Sequence, residues 1–196
     1  MEVIMNFIDV LLFGTFPLPW WGYVVVALVF THITILSVTT YLHRSMTHGS
    51  VTLNPAVAHF FRFWLWLTTS IITKEWVAVH RLHHQNVDLE HDPHSPHNVS
   101  IKELLFNGWR HYREATKNEK MIENYGRRTP DDWVERKVYA NKESHFCLIG
   151  INNWGLVMML LLDLVFFGLV GLLIWGIQMI WIPLFAANIV NGLGHW

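Results

Sequence analysis

The 196-residue chain has little charge and almost no cysteine. Only 15% of its residues are charged, whereas soluble domains usually carry about 25%. Its formal net charge of -1 gives no reason to expect a nucleic-acid partner. The single cysteine, Cys147, excludes an internal disulfide framework and a zinc site built on thiolates. The first residues, MEVIMNF, lack Lys and Arg, so we do not expect a cleaved signal peptide.

Hydrophobic residues make up 52% of the chain and form long runs, which predict an all-α integral membrane protein. The run 20–42 has the length of one bilayer span and opens with the aromatic sequence WWGY. The run 153–191 is long enough for two spans. Gly168 and Gly171 are the best candidates for the tight turn between them.

Two shorter apolar segments allow more than one interpretation. Residues 1–16 are predicted to form a short or interfacial membrane helix, because the segment contains polar residues and ends at PLP. Residues 56–72 form either a peripheral helix or a full span, because this aromatic-rich segment also contains Arg62 and His59.

A polar stretch, 85–145, follows these segments and is predicted to be a helical cap. It holds ten of the fourteen Lys and Arg residues, so the positive-inside rule predicts that it faces the cytoplasm. We therefore expect one domain with four consecutive parts. These are N-terminal membrane segments at 1–42, two histidine clusters with an intervening helix at 43–84, the cap at 85–145, and two transmembrane helices at 146–196.

The topology gathers distant polar residues at one membrane face. The first span is predicted to end at His43 on the cytoplasmic side, next to the start of the cap. The last two spans leave the cytoplasm and return, which places Asn191 and His195 on the same face. A site built from several parts of the sequence is therefore expected there.

Histidine is abundant, with 13 residues, and three of them lie within the sequence HRLHH. His80, His83 and His84 are related as i, i+3 and i+4, so they share one face of a helix. Exposed helix faces normally carry Lys and Glu rather than three imidazoles. We therefore predict a metal site, and an imidazole-rich site suits Fe, Cu, Zn or Ni.

Two further polar pairs are candidates for the same site. His43 and His48, in HRSMTH, are five residues apart, which is about 140° on an ideal α-helix. This pair is expected to work best where a helix ends and the chain bends. Asn191 and His195, in NGLGH, are four residues apart on one helix face. The remaining histidines are predicted to be packing, surface or turn residues: His32, His59, His91, His94, His97, His111 and His145.

The sequence HRSMTH followed by HRLHH resembles the first two histidine boxes of the membrane fatty acid desaturases. The resemblance is strongest to the acyl-CoA Δ9, or stearoyl-CoA-type, desaturases, and DPHSP and NGLGH strengthen it. It implies a non-haem centre of two iron ions and the use of O₂ to remove two hydrogens from a fatty acyl chain on CoA or a lipid. It also implies membrane lipid around the enzyme and a separate electron donor, such as ferredoxin, rubredoxin or cytochrome b5 with its reductase.

The resemblance also assigns individual residues, and no catalytic residue beyond the metal ligands is expected. The implied ligands are His43 and His48 from box one, His80, His83 and His84 from box two, His195, and Asn191 through a water. Trp76 matches a family tryptophan close to the bent part of the acyl chain.

The chain departs from the family pattern in two places. Ala78 and Val79 replace an Arg-Asp pair that helps to hold CoA in the animal enzymes, so the head group is not assigned. The family's third box, H-x-x-H-H, does not occur before Trp196. We therefore expect the chain to be a truncated desaturase that binds metal weakly and lacks activity. The alternatives are a related membrane hydroxylase or alkane monooxygenase, and a non-catalytic fragment that keeps the fold.

Overall fold

The computed structural model describes residues 7–87, 89, 92, 100–140 and 154–181. Within these residues every regular element is helical and no strand occurs, which confirms the predicted all-α class. In chain order the elements are α1 (Phe7–Phe13), α2 (Trp20–Leu36), a first π-helix (Ser37–Thr47), α3 (Pro55–Thr69), α4 (Thr73–Gln85), α5 (Ile101–Ala115), α6 (Glu119–Tyr125), a second π-helix (Glu135–Tyr139) and α7 (Trp154–Trp181).

α2 and the first π-helix form one continuous helix, Trp20–Thr47, of 28 residues that is long and apolar enough to cross a membrane. The sequence predicts that this span ends at His43, but the helix continues past it with π winding. Ser37, the first π-helical residue, donates its hydroxyl hydrogen bond to the carbonyl of Ile33 at 2.7 Å. Such bonds back to the preceding turn compete with the backbone hydrogen bonds, and they accompany the change of winding.

α7 is apolar and 28 residues long, but a break at Gly168 divides it, so its full length does not form one straight span. Gly168 has φ 60° and ψ -144°, which lies outside the helical region. The indole N–H of Trp175 donates to the carbonyl of Leu156 at 3.1 Å. A straight helix would separate these two residues by about 28 Å. The chain therefore reverses at Gly168, which confirms the turn predicted there.

The two limbs of this hairpin approach each other closely. A Cβ atom at Gly171 would collide with the backbone carbonyl of Asp163, so only glycine allows this distance. The side-chain amide of Gln178 donates to Oδ2 of Asp163 at 3.1 Å, and both side chains are buried. A hydrogen-bonded polar pair in an apolar hairpin fixes how the limbs face each other. The part of the chain that leads from the second limb to Asn191 lies outside the described residues.

α1 packs against the turn of the hairpin. The backbone N–H groups of Thr15 and Phe16 donate to the carbonyls of Val165 and Phe166, each at 3.0 Å. These carbonyls are available because the break in α7 removes their usual helical partners. The described part of α1, Phe7–Phe13, is shorter than a bilayer span. Its position at the membrane interface stays a prediction.

α3 has well-defined ends and is shorter than a typical span. The Asn54 side chain accepts a hydrogen bond from the N–H of Ala56 and caps the start of the helix. Ser70, with φ 60°, ends it and turns the chain toward α4. Its 15 residues extend about 22 Å, whereas the hydrocarbon core is about 30 Å thick. The structure therefore favours a peripheral helix over a full span.

A buried ionic group ties α3 to the cap. Arg62 of α3 is 8% exposed and lies 2.6 Å from Asp132 and 3.7 Å from Glu135. His59 contacts the same guanidinium at 3.2 Å, and the ring of Tyr139 lies 5.3 Å from it. The hydrogen bond from Arg62 holds the pKa of Asp132 below its ordinary value. We call Arg62, Asp132 and Glu135 the Arg62 cluster.

α4 lies between the first π-helix and α6, and this position determines where its histidines point. Ala78 and Val79 are buried against Met121 of α6. On another side of the helix, Trp76 packs against a cluster that contains Leu42 of the π-helix. α4 therefore presents its remaining face to the end of the π-helix.

Candidate metal centre

α4 places two imidazoles on successive turns of the same face. Nε2 of His80 and Nε2 of His84 are 3.1 Å apart. Two nitrogens bound to one metal ion at about 2.1 Å each are separated by roughly this distance. Trp76, one turn before His80, stacks on its ring with the centroids 4.5 Å apart. The Trp76 ring therefore forms one wall of the site.

The first π-helix brings His43 and His48 together despite their unfavourable spacing in an α-helix. The N–H of His48 donates to the carbonyl of His43 at 3.1 Å, which is the i to i+5 bond of π winding. Residues five apart therefore lie one above the other, and the two ring centroids are 4.6 Å apart. The helix ends at Thr47, directly before His48, as the spacing predicts, but π winding also contributes to bringing the two rings together.

The two histidine pairs meet across the contact between the π-helix and α4. The ring centroids of His43 and His80 are 4.9 Å apart, and those of His48 and His84 are 4.7 Å apart. One ligand atom from each of the four residues can be chosen so that all lie within 4.8 Å of one another. His48 and His84 are exposed, and the other two are half-buried. We call these residues the four-histidine cluster.

His83 lies beside the four-histidine cluster but outside that group. It is 3% exposed, and its ring centroid lies 5.9 Å from that of His80 and 5.4 Å from that of His84. Its Nδ1 lies 2.9 Å from Oδ1 of the buried Asp92. A carboxylate that accepts Nδ1–H fixes the ring orientation and leaves Nε2 as the metal-binding nitrogen. Asp92 was not among the predicted site residues, although it follows box two as the first residue of DPHSP.

The other predicted site residues differ in what the structure describes. Asn191 and His195 lie outside the described residues, as do His91, His94, His97 and His145. His59 contacts Arg62, and His111 lies 3.6 Å from Glu103. His32 is exposed on α2. None of these three joins the four-histidine cluster.

The donor set of the four-histidine cluster consists of imidazole nitrogens alone. No carboxylate belongs to the group among the residues that the structure describes. Neutral imidazole suits Fe, Cu, Zn and Ni, whereas Ca²⁺ and Mg²⁺ prefer oxygen ligands. The chemistry and spacing of these donors therefore fit a transition metal.

The sequence of the chain also matches a known protein family. Residues 18–196 match the family described as fatty acid desaturase. The chain belongs to the fatty acid desaturase family. The matched region begins just before α2 and contains both histidine boxes, so the four-histidine cluster lies within the part of the chain that matches the family.

Plant desaturases are among the similar proteins. The icosanoyl-CoA 5-desaturase of Limnanthes douglasii is 44% identical over 62 residues, which are 32% of this chain and 17% of that protein. Delta-9 acyl-lipid desaturase 1 of Arabidopsis thaliana is 29% identical over 157 residues, or 80% of this chain and 47% of that protein. The chain therefore spans less than half the length of these relatives. No solved structure matches it significantly.

Proposed function

We propose that this chain is an O₂-dependent fatty acyl desaturase whose histidines bind iron. The observation that supports this most strongly is the four-histidine cluster, in which two separate helices direct imidazoles to one point. Membership of the fatty acid desaturase family points to the same chemistry. Iron, when bound, supplies with O₂ the oxidising power that removes two hydrogens from a saturated chain.

The proposed ligand set extends beyond the four-histidine cluster. We assign His43, His48, His80 and His84 as ligands because their nitrogens already lie close together. We add His83, whose Nδ1 contact with Asp92 prepares Nε2 for a metal. Two iron ions need more donors than these five, and we assign His195 directly and Asn191 through a water.

The remaining task of the protein is to hold the substrate, because an acyl chain offers no polar group near the reacting carbons. Position along the chain must be set by the shape and depth of an apolar channel. We assign Trp76 to the wall of this channel, since it lies against His80. A channel of fixed depth at this point gives a single double-bond position, which we propose to be Δ9.

The acyl carrier is recognised by residues other than those used in the animal acyl-CoA enzymes. Ala78 and Val79 occupy the positions of the Arg-Asp pair and are 0% and 1% exposed. They pack against Met121, so neither side chain can reach a head group. The relatives' names include both a CoA and a lipid carrier. Both carriers are therefore retained as substrates in the experiment below.

We further propose a multi-pass membrane protein with its cap and metal centre at the cytoplasmic face. The apolar helices and the Lys- and Arg-rich cap support this arrangement. A cytoplasmic site is accessible to a soluble or membrane-anchored electron donor, such as ferredoxin, rubredoxin or cytochrome b5 with its reductase. A reporter fused near Lys117 tests the orientation and should give a cytoplasmic signal.

Product analysis tests the proposed reaction. The 196-residue chain and a version extended with a tail containing H-x-x-H-H are expressed in a host without its own desaturase. The fatty acids of the CoA and lipid pools are then analysed separately by mass spectrometry. Desaturation removes two hydrogens, whereas hydroxylation adds one oxygen. Unsaturated product from either version supports the proposed reaction, and product from the 196-residue chain would show that its expected inactivity is wrong. Hydroxylated product alone, or no product from both versions, contradicts the proposal.

A further inference from the structure

Arg81 lies inside HRLHH, but it does not point toward the four-histidine cluster. One residue after His80, its side chain leaves α4 about 100° away from the histidine face. Its guanidinium group donates hydrogen bonds to four backbone carbonyls. These bonds go from Nε to Thr47 at 3.2 Å, from Nη2 to Met46 at 2.6 Å, and from Nη1 to Tyr125 at 2.8 Å and to Arg127 at 2.7 Å.

Arg81 therefore caps the ends of two helices at once. Met46 and Thr47 are the last residues of the first π-helix, and Tyr125 is the last residue of α6. The final carbonyls of a helix lack intrahelical partners and carry partial negative charge, so a cation is favourable there. Only the planar fork of arginine presents several N–H donors in a fixed geometry, whereas lysine provides a point charge.

Two of the four carbonyls bound by Arg81 lie within box one. Met46 and Thr47 stand between His43 and His48 in sequence, while Arg81 stands between the ligand candidates of box two. The hydrogen bonds therefore join the two boxes directly, next to the imidazoles. At the other end of the interface between the π-helix and α4, the hydroxyl oxygens of Tyr41 and Thr73 lie 3.4 Å apart.

We propose that Arg81 is a positioning residue of the metal centre, which fixes the distance between the two histidine boxes and locks both to α6. The role in metal binding rests on the proposed function, because it assumes that the boxes share a metal site. We call the set of four hydrogen bonds from Arg81 the Arg81 clamp, and its existence rests only on those carbonyl contacts. Without it, the end of the π-helix would move relative to α4, and His48 would separate from His84.

The experiment measures box spacing and metal affinity independently in the full chain. Spin labels are attached at Ser50→Cys and Gln85→Cys, two exposed positions that flank the boxes, in a Cys147→Ser background. Dipolar EPR gives their distance distribution without metal, and titration with Co²⁺ gives affinity and the ligand-field spectrum. The variants are Arg81→Ala, Arg81→Lys and the control Arg136→Ala, which removes an exposed Arg from a surface pair.

We expect Arg81→Ala to broaden the label distance and to lower Co²⁺ affinity by about 10- to 100-fold, as for other residues that orient ligands. Guanidinium ions, at concentrations that leave the wild type folded, should narrow the distribution again, whereas sodium ions should not. Arg81→Lys should fold normally, with intermediate spacing and affinity. Arg136→Ala should match the wild type.

The outcomes separate the clamp from the proposed function. Wild-type spacing in Arg81→Ala, or wild-type spacing and affinity in Arg81→Lys, would overturn the clamp while leaving the metal site intact. A broadened distance that guanidinium restores supports the clamp even if the wild type binds no Co²⁺. In that case only the proposed function fails.

Discussion

The four-histidine cluster and the Arg62 cluster both concentrate ionisable side chains, but they balance their charges differently. In the Arg62 cluster a buried guanidinium contacts two carboxylates of the cap at 2.6 and 3.7 Å. In the four-histidine cluster the imidazoles lie close to one another and half of them are exposed. The first group contains both signs of charge, whereas the second consists of electron-pair donors.

This difference is the basis for proposing a structural role for the Arg62 cluster and metal binding for the four-histidine cluster. A buried charge is stable only when a partner within the protein compensates it, and the Arg62 cluster provides that partner. Its removal should therefore affect folding. The four-histidine cluster gathers donors around a point where a cation would fit, so its removal should affect metal binding. The four predictions below test this separation, from the largest expected effect to the smallest.

Replacing a histidine of the cluster should abolish measurable metal binding. In His84→Ala we expect Co²⁺ affinity to fall more than about 100-fold, beyond the loss typical of residues that only orient ligands. Helicity should be unchanged because His84 is exposed. His111→Ala, which alters a histidine outside the cluster, is the control. Wild-type affinity in His84→Ala would contradict its assignment as a ligand.

Replacing Arg62 should affect folding stability rather than metal binding. In Arg62→Ala we expect the free energy of unfolding to fall by about 1.5–3 kcal/mol, because the cap loses its charged hydrogen bond from Arg62 to Asp132. The exposed pair of Arg136 and Asp131 provides a control, and Arg136→Ala should cost less than about 1 kcal/mol. Denaturant unfolding in detergent measures both. A similar small cost in the two variants would remove the proposed distinction between the clusters.

Asp92 should influence metal binding through His83 rather than as a ligand. In Asp92→Asn the ring of His83 loses its carboxylate acceptor, so we expect metal affinity to fall by about 10-fold. Asp131→Asn changes an exposed carboxylate and should leave the affinity unchanged. A complete loss of metal in Asp92→Asn would instead indicate direct ligation by Asp92.

The raised pKa of Glu135 should make the stability of the fold depend on pH. Burial raises the pKa of its carboxyl from an ordinary 4.5 to about 7. The folded chain therefore retains a proton that the unfolded chain releases between these values, and stability falls as pH rises through this range. Asp132, with a lowered pKa, loses its contribution only at lower pH.

Glu135→Gln removes this titration, so the difference in Tm between the variant and the wild type should change by a few degrees between pH 5 and 8 (roughly the scale expected for 1–2 kcal/mol). The histidines are the same in both proteins and cancel in the comparison. A difference in Tm that does not vary with pH would show that Glu135 has an ordinary pKa in the folded chain.

Local sequence patterns predicted a large part of the fold and of the candidate site. Apolar runs identified α2 and the hairpin of α7, and the glycine pattern located the reversal at Gly168. The spacing of His80 and His84 predicted their shared face, because i and i+4 are neighbours on any α-helix. These features depend only on residues that are close in sequence.

The remaining features depend on long-range contacts or on unusual winding. The π-helix joins His43 to His48, and its Ser- and Thr-rich sequence SVTTYLHRSMT is only a weak indication of that winding. Arg62 and Asp132 are separated by 70 residues, and Arg81 reaches carbonyls 34 to 46 residues away. Backbone carbonyls carry no sequence signature, so no motif could identify these partners.

Iron binding tests the central claim most directly. The wild-type chain and a variant with His43, His48, His80 and His84 all replaced by Ala are loaded with ferrous iron under anaerobic conditions. Bound iron per chain is then measured by mass spectrometry, and circular dichroism confirms equal helicity. We predict that the wild type binds iron, although weakly, and that the variant binds none. A wild type that retains no more iron than the variant would contradict the proposal that this cluster is a metal centre.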